Sequence, residues 1–144
     1  SVQNIAAGFY HSLILKTDGT LLTCGDNEYG QCGNGTPIKD SIPNQIMTGV
    51  KGIASGYLHS LILKTDGTLW ACGLNSTGAL GDGTTINRYN PVQIMTNVQN
   101  IAAGSGNSLI VKTDGTLWVC GNNSYGKLGD GTSNEQDTPV QIKF

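Results

Sequence analysis

The sequence is poor in charged residues and has no long hydrophobic run. Charged residues make up 12% of the 144 residues, and the basic ones, seven lysines and the single Arg88, form no cluster. Because neutralisation of phosphates supplies most of the affinity of nucleic-acid-binding proteins, no nucleic-acid partner is expected. No stretch approaches the roughly 20 apolar residues that cross a bilayer, and no signal segment opens the chain, so no membrane partner is expected either.

The four cysteines lack the Cys-x-x-Cys spacing of common metal sites. Cys24, Cys72 and Cys120 lie 48 residues apart, and Cys32 stands where Leu80 lies one such interval later. Unpaired thiols at such positions are typical of small core residues. We therefore expect no metal and no cofactor, and the unpaired thiols favour a reducing, cytoplasmic compartment.

Glycine, in contrast to charged residues, is abundant in the sequence. The chain has 21 glycines, and 38% of its residues are hydrophobic, which is too apolar for a disordered chain. Many glycines with scattered threonine and asparagine are typical of short strands joined by tight turns. The predicted fold class is all-β.

A 48-residue repeat fills the sequence. The segment Lys-Thr-Asp-Gly-Thr begins at Lys16, Lys64 and Lys112, and residues 49–96 share 28 identities with residues 97–144. No insertion or deletion interrupts the register, which is the sequence signature of a repeat architecture. Three repeat units are predicted: 1–48, 49–96 and 97–144.

Each copy contains four candidate strands. In the second copy these are Val50–Ser55, His59–Lys64, Thr68–Cys72 and Pro91–Met95, and Asp66-Gly67 predicts a hairpin turn between the second and third. Proline at the head of the last strand fits an edge position. Four strands in a period of about 40–50 residues predict a β-propeller blade.

The repeat resembles a known family. Its pattern is Ile-Ala-Ala-Gly-x-x-His-Ser-Leu-x-x-Lys-x-Asp-Gly-x-Leu-Trp-x-Cys-Gly, followed by Asn-x-x-Gly-x-Leu-Gly-Asp-Gly-Thr and Pro-Val-Gln-Ile. This pattern is similar to the regulator of chromosome condensation repeat over the whole chain. The resemblance implies blades of a propeller that usually has seven of them in about twice this length. Members include an exchange factor for a small nuclear GTPase and a bacterial inhibitor of β-lactamases.

Three blades are too few for a closed ring, since propellers typically have four to eight. If each blade takes its last strand from the next copy, one strand is left over at the amino end and one is missing at the carboxyl end. We therefore expect a homodimer that forms a six-bladed ring by strand addition between Val2–Ala7 and Val140–Lys143. The alternative is a fragment of a longer propeller. The residues predicted at the assembly edge are Val2, Asn4, Ala6, Val140 and Ile142.

No catalytic residues are predicted, because each reactive side chain recurs at one position of the repeat. His11 and His59 share a position with Asn107, which favours a structural hydrogen-bonding role. Asp26, Asp82 and Asp130 are interpreted as turn residues, since their spacing does not match a calcium loop. The sequence therefore predicts a protein that is not an enzyme.

The loops vary most between copies, and variable loops on a rigid scaffold are where binding usually occurs. Exposed tyrosines anchor many protein contacts. The main hypothesis is a non-catalytic scaffold that binds an unidentified protein. The alternatives are a purely architectural repeat without a ligand, and nucleotide exchange by family analogy alone. The candidate contact residues are Tyr10, Tyr29, Tyr57, Tyr89 and Tyr125.

Overall fold

The computed structural model describes residues 1–144 and contains twelve strands in three separate four-stranded antiparallel sheets. The only helical segment is the 3₁₀ turn Ser124–Gly126, and no helix has the length and hydrophobicity that a membrane crossing requires. The fold is therefore all-β, as predicted. The strands are β1 Val2–Ala7, β2 His11–Lys16, β3 Leu21–Gly25, β4 Asp40–Met47, β5 Val50–Ser55, β6 His59–Lys64, β7 Leu69–Gly73, β8 Arg88–Met95, β9 Val98–Ala103, β10 Asn107–Lys112, β11 Leu117–Gly121 and β12 Gln136–Ile142.

Each sheet is one blade built from one copy of the repeat. Blade 1 has the order β1-β2-β3-β4, blade 2 β5-β6-β7-β8 and blade 3 β9-β10-β11-β12. The first strands of successive blades contact one another, β1 with β5 and β5 with β9. The first strand of each blade is thus its inner edge, and the fourth is its outer edge.

The hairpin between β6 and β7 shows how the repeated turn forms. Gly67 donates its N–H to the Lys64 carbonyl at 3.0 Å, and Thr68 N donates to Asp66 Oδ1 at 3.0 Å. Within this turn, Gly67 is the residue with a positive φ, +83°, and it therefore needs the conformational freedom of glycine. The turn lies where Asp66-Gly67 predicted it.

The fourth strand is longer than predicted. It begins at Arg88, which pairs with Gly73, rather than at Pro91. Pro91 lies inside the strand, where it has no N–H to donate. This is tolerated because β8 is an edge strand with only one hydrogen-bonded neighbour.

The prediction of a leftover strand and a missing strand is wrong. Every blade has four strands, since β1 pairs with β2 inside blade 1 and β12 pairs with β11 inside blade 3. The predicted assembly edge lies on these two strands, which are already paired and lie at opposite radial ends of their blades. No blade therefore needs a strand from a second chain. The residues concerned are Val2, Asn4 and Ala6 on β1, and Val140 and Ile142 on β12.

The hydrophobic core lies between blades rather than within them. One cluster joins Leu13, Leu15 and Leu21 of blade 1 to Val50 and Ile62 of blade 2. A second cluster joins blade 2 to blade 3 in the same way. It consists of Leu61, Leu63, Leu69, Ala71, Leu80, Val98 and Ile110. Apolar side chains on both faces of a middle blade are therefore buried, whereas an end blade has one covered face and one open face.

Candidate functional site

A histidine–serine hydrogen bond ties each blade to the next. His59 Nε2 lies 3.0 Å from Ser108 Oγ, and that hydroxyl donates to the Ala79 carbonyl at 2.7 Å. Because the hydroxyl proton goes to the carbonyl, the imidazole N–H must donate to the serine oxygen. Between blades 1 and 2, His11 Nε2 lies 2.8 Å from Ser60 Oγ. The repeat position of the histidine thus builds the interblade joint.

Burial keeps both imidazoles neutral. Desolvation lowers the pKa of His11 and of His59 to about 4. Gly56 packs directly on the His59 ring, so that a Cβ at this glycine would overlap the imidazole. The predicted structural role of the two histidines is confirmed. A buried, hydrogen-bonded imidazole of this kind is poorly placed for proton transfer to a ligand.

The cysteines of the inner joints are core residues. Cys72 and Cys120 are buried, and their Sγ atoms lie 3.7 Å and 3.5 Å from the carbonyl oxygens of Gln31 and Ala79. Burial raises the pKa of both thiols to about 12, which keeps them protonated and unreactive. Cys32 is also buried, but Cys24 is partly exposed, because it lies on the open face of blade 1.

One buried asparagine organises each long loop, a feature that the sequence analysis missed. Asn75 Nδ2 donates to Asp82 Oδ1, Thr84 O and Ile86 O, and its Oδ1 accepts from Leu80 N. Asn27 and Asn123 make the corresponding bonds in blades 1 and 3. All three side chains have no exposed surface. The available signal was that asparagine is the first residue of the Asn-x-x-Gly pattern in all three loops.

Two of the three aspartates, Asp82 and Asp130, act as turn residues, as predicted. Asp82 Oδ1 accepts from Thr84 N at 3.0 Å, and Asp130 Oδ1 accepts from Thr132 N at 2.9 Å. Asp26 Oδ2 accepts from Gln31 Nε2 at 2.8 Å. These carboxylates are therefore engaged by the loops that carry them.

The open face of blade 1 is mostly apolar. Ile14 is partly exposed, whereas the same repeat position in blades 2 and 3, Ile62 and Ile110, is 1% exposed. Ser12 makes no interblade bond, although the equivalent Ser60 and Ser108 do. Ile5, Ile14 and their neighbours line a cavity of about 250 Å³ on this face. The face lacks the blade that would pack against it.

The open face of blade 3 is the face that, in blades 1 and 2, packs against the following blade. Leu109, Val111 and Leu117 are partly exposed, whereas their equivalents in blades 1 and 2 are buried. A Cβ placed on Gly33 would lie 3.1 Å from Cys72 Sγ, but one placed on the equivalent Gly129 would meet nothing within 4 Å. The two open faces therefore carry residues at the repeat positions that face each other across the interblade joints within the chain.

Hydrogen bonds between backbones repeat the same pattern. Gly35 N donates to Tyr89 O at 2.9 Å, and Gly83 N donates to Asp137 O at the same distance. The equivalent Gly131 has no neighbour on its open side.

The structure separates the five tyrosines into two groups. Tyr10 and Tyr57 are exposed and form a cluster with Phe9, whose ring centroid lies 4.4 Å from that of Tyr10 and 4.5 Å from that of Tyr57. The other three lie at the edges of interblade joints. Tyr89 Oη bridges from blade 2 to the Glu28 carbonyl of blade 1, Tyr29 is partly buried, and Tyr125 is fully exposed at the open side of blade 3.

Comparison with known families agrees with this geometry. Two family models of the regulator of chromosome condensation (RCC1) repeat each match the sequence in three segments. One matches residues 2–31, 50–79 and 98–127, and the other matches residues 18–63, 66–111 and 114–144. The chain belongs to this repeat family, as its motifs predicted.

Solved propellers of the family superpose closely on the chain. Prp20p from Saccharomyces cerevisiae, whose binding properties to Gsp1p and histones are described with its crystal structure, has a TM-score of 0.90 at 26% identity. The same yeast RCC1 (Prp20) also matches in a structure with Kap60 bound. Human WBSCR16 has a TM-score of 0.88 at 28% identity. Each match covers 99% of this chain but only 37–39% of the other, so the chain spans about two-fifths of the length of these structures.

Proposed function

We propose that this chain is a non-catalytic propeller scaffold for protein–protein interaction, and that it assembles with a second copy through the open faces of blades 1 and 3. The observation that supports this most strongly is the repetition of one joint. The serine, apolar and backbone contacts that join blade 1 to blade 2, and blade 2 to blade 3, have unused counterparts on the two open faces of the same chain.

The proposed joint follows from the repeat spacing. In the second copy, Ser12 takes the position that Ser60 and Ser108 occupy inside the chain. Its hydroxyl then donates to the Lys127 carbonyl and faces Asn107, which stands at the histidine position of blade 3. Ile14 covers Leu109 and its neighbours, as Ile62 and Ile110 cover the blades that precede them.

The number of blades supports a pair of chains rather than a larger set. The joint is head-to-tail, so identical contacts can continue until the ring closes. Two chains give six blades, which lies within the usual range of four to eight, whereas three chains give nine. The two-fold axis then runs along the channel. In a longer polypeptide, additional repeats would cover the same two faces.

The scaffold role is supported by what the reactive side chains do. The histidines hold joints together and the thiols of Cys72 and Cys120 stay protonated, so neither group is available as a base or a nucleophile. Yeast Prp20, with a similar propeller, is described with binding to Gsp1p, histones and Kap60. Binding of a protein partner is therefore the activity proposed for this chain.

A pair of matched variants tests the assembly. Ile14→Glu places a carboxylate in the proposed joint, whereas Ile38→Glu changes an isoleucine that is 67% exposed in the long loop of the same blade. We expect light scattering to give the mass of one chain for Ile14→Glu and of two chains for Ile38→Glu. Equal masses for the two variants would contradict the proposed joint.

A further inference from the structure

Three exposed aromatic rings pack on one another at the end of the blades where the long loops lie. Phe9, Tyr10 and Tyr57 are 56%, 60% and 42% exposed, and Phe9 contacts both tyrosines. Phe9 and Tyr10 connect β1 to β2, and Tyr57 connects β5 to β6. Aromatic side chains that contact each other in solvent, rather than the core, are typical anchors of protein interfaces.

A shallow cavity of about 310 Å³ lies beside these rings. It is lined by the loop after the first strand in each of the three blades, with Phe9 from blade 1, Tyr57 from blade 2 and Ser105 from blade 3. Blade 3 has Ser105 and Gly106 where the other blades have aromatic or large apolar residues. Blade 3 therefore contributes smaller side chains to the lining, which leaves room for an extended peptide to lie across the cavity.

The end of the propeller that carries this cavity is acidic. The loops after the first and third strands of every blade lie at this end, together with the first residues of the outer strands. It holds seven acidic and three basic side chains, a formal charge of −4, whereas the opposite end has a formal charge of +2. The acidic residues are Asp26, Glu28, Asp40, Asp82, Asp130, Glu135 and Asp137, and the basic ones are Lys39, Arg88 and Lys127.

One ammonium group already lies at the rim of the cavity. Lys127 Nζ donates to the Ser105 carbonyl at 2.6 Å. The same repeat position is Gln31 in blade 1 and Ala79 in blade 2, so the two blades that carry the aromatic rings have no lysine there. The bond of Lys127 shows that a backbone carbonyl at the rim accepts a hydrogen bond from an ammonium group.

We propose that this cavity binds an extended segment of a partner protein that carries arginine or lysine next to an apolar residue. The apolar residue enters the cavity against Phe9 and Tyr57, and the cation lies over an exposed ring in the negative field of the loops. This inference rests on the proposed protein-binding role and assigns the chemistry of its partner. An acidic segment would be repelled.

Labelled peptides test the inference. The probe is a fluorescein-labelled peptide that repeats Gly-Arg-Leu, its counterpart repeats Gly-Glu-Leu, and binding is followed by fluorescence anisotropy on the full chain. We expect the Arg peptide to bind, more weakly as sodium chloride is added, and the Glu peptide not to bind. We expect Phe9→Ala and Tyr57→Ala to weaken binding by about five-fold or more.

Ile86→Ala is the matched control, because Ile86 is 60% exposed in a long loop at the same end and lies outside the aromatic cluster. We expect this variant to bind the Arg peptide as the unmodified chain does. Equal binding of both peptides, or binding of the Arg peptide that survives loss of Phe9 and Tyr57, would overturn the inference. Failure of all peptide binding in a chain that still forms pairs would overturn the inference without affecting the assembly.

Discussion

His59 Nε2 lies 3.0 Å from Ser108 Oγ, so that one fully enclosed hydrogen bond connects blade 2 to blade 3. The serine oxygen is also held by its own bond to the Ala79 carbonyl. With His11 and Ser60, the same arrangement connects blade 1 to blade 2. The stability of the propeller therefore depends on two imidazoles that must stay neutral.

The first prediction concerns pH. Burial lowers the pKa of His11 and His59 to about 4, whereas an unfolded histidine titrates near 6.5. Between these values the unfolded chain binds more protons than the folded chain, so stability falls as pH falls from about 6.5 to 4. From pH 7 to pH 5, urea unfolding should show a loss of up to about 4 kcal/mol for the two groups together.

The control for this prediction is the double variant His11→Asn, His59→Asn, which uses the residue that the chain itself has at Asn107. Its unfolding free energy should change much less between pH 7 and pH 5. If the double variant showed the same pH dependence as the unmodified chain, the two histidines would not be its source.

The second prediction compares serines at the same repeat position. Ser108→Ala removes both bonds of a buried hydroxyl and should lower the free energy of unfolding by about 2 kcal/mol. Ser12 lies on the open face of blade 1. Ser12→Ala should therefore change the free energy of unfolding by less than about 0.5 kcal/mol in dilute solution, where single chains predominate. Urea unfolding measures both values, and equal losses would contradict the assignment of an open and a covered face.

The third prediction concerns the buried asparagines. Asn75→Ala leaves the Leu80 N–H and three acceptors of the loop without their partner, and should cost about 2–4 kcal/mol. Asn134→Ala, at an exposed position in the long loop of blade 3, should cost less than about 0.5 kcal/mol. Thermal or urea unfolding decides, and a small effect at Asn75 would show that the loop is held by other contacts.

The fourth prediction concerns thiol accessibility. Cys24 is partly exposed on the open face of blade 1, whereas Cys72 and Cys120 are buried in the inner joints. Alkylation should modify Cys24 in dilute solution and should slow as the protein concentration rises, because the second copy covers it. Mass spectrometry of tryptic peptides gives the rates, with Cys72 and Cys120 as unreactive internal references. A rate at Cys24 that is independent of concentration would contradict its burial in the joint.

Much of the fold could be predicted because one pattern occurs three times. The first three strands of a copy follow from alternation and from the Asp-Gly turn, and Val50–Ser55 and His59–Lys64 lie where they were predicted. The early start of β8 at Arg88 could not be predicted from Pro91, because nothing in the alternation marks an edge strand that continues on both sides of a proline.

The partner of β1 was predicted wrongly for a physical reason. A 48-residue period constrains the spacing of strands but not which copy supplies the inner strand of a blade. The short connection through Gly8 and Tyr10 lets β1 fold back directly on β2, and this local hairpin costs less chain entropy than a pairing with the previous copy. The sequence predicted that the tyrosines would be exposed, but it did not predict the aromatic cluster. Phe9 and Tyr57 lie 48 residues apart and meet only because neighbouring blades place the same loop side by side.

The measurement that tests the account most directly is the mass of the unmodified 144-residue chain by sedimentation equilibrium over a dilution series. The joint between the open faces of blades 1 and 3 predicts a limiting mass of twice the 15.1 kDa of one chain, with no larger species because a six-bladed ring is closed. A mass of 15.1 kDa at every concentration, or a mass that grows without limit, would contradict a closed ring of two chains.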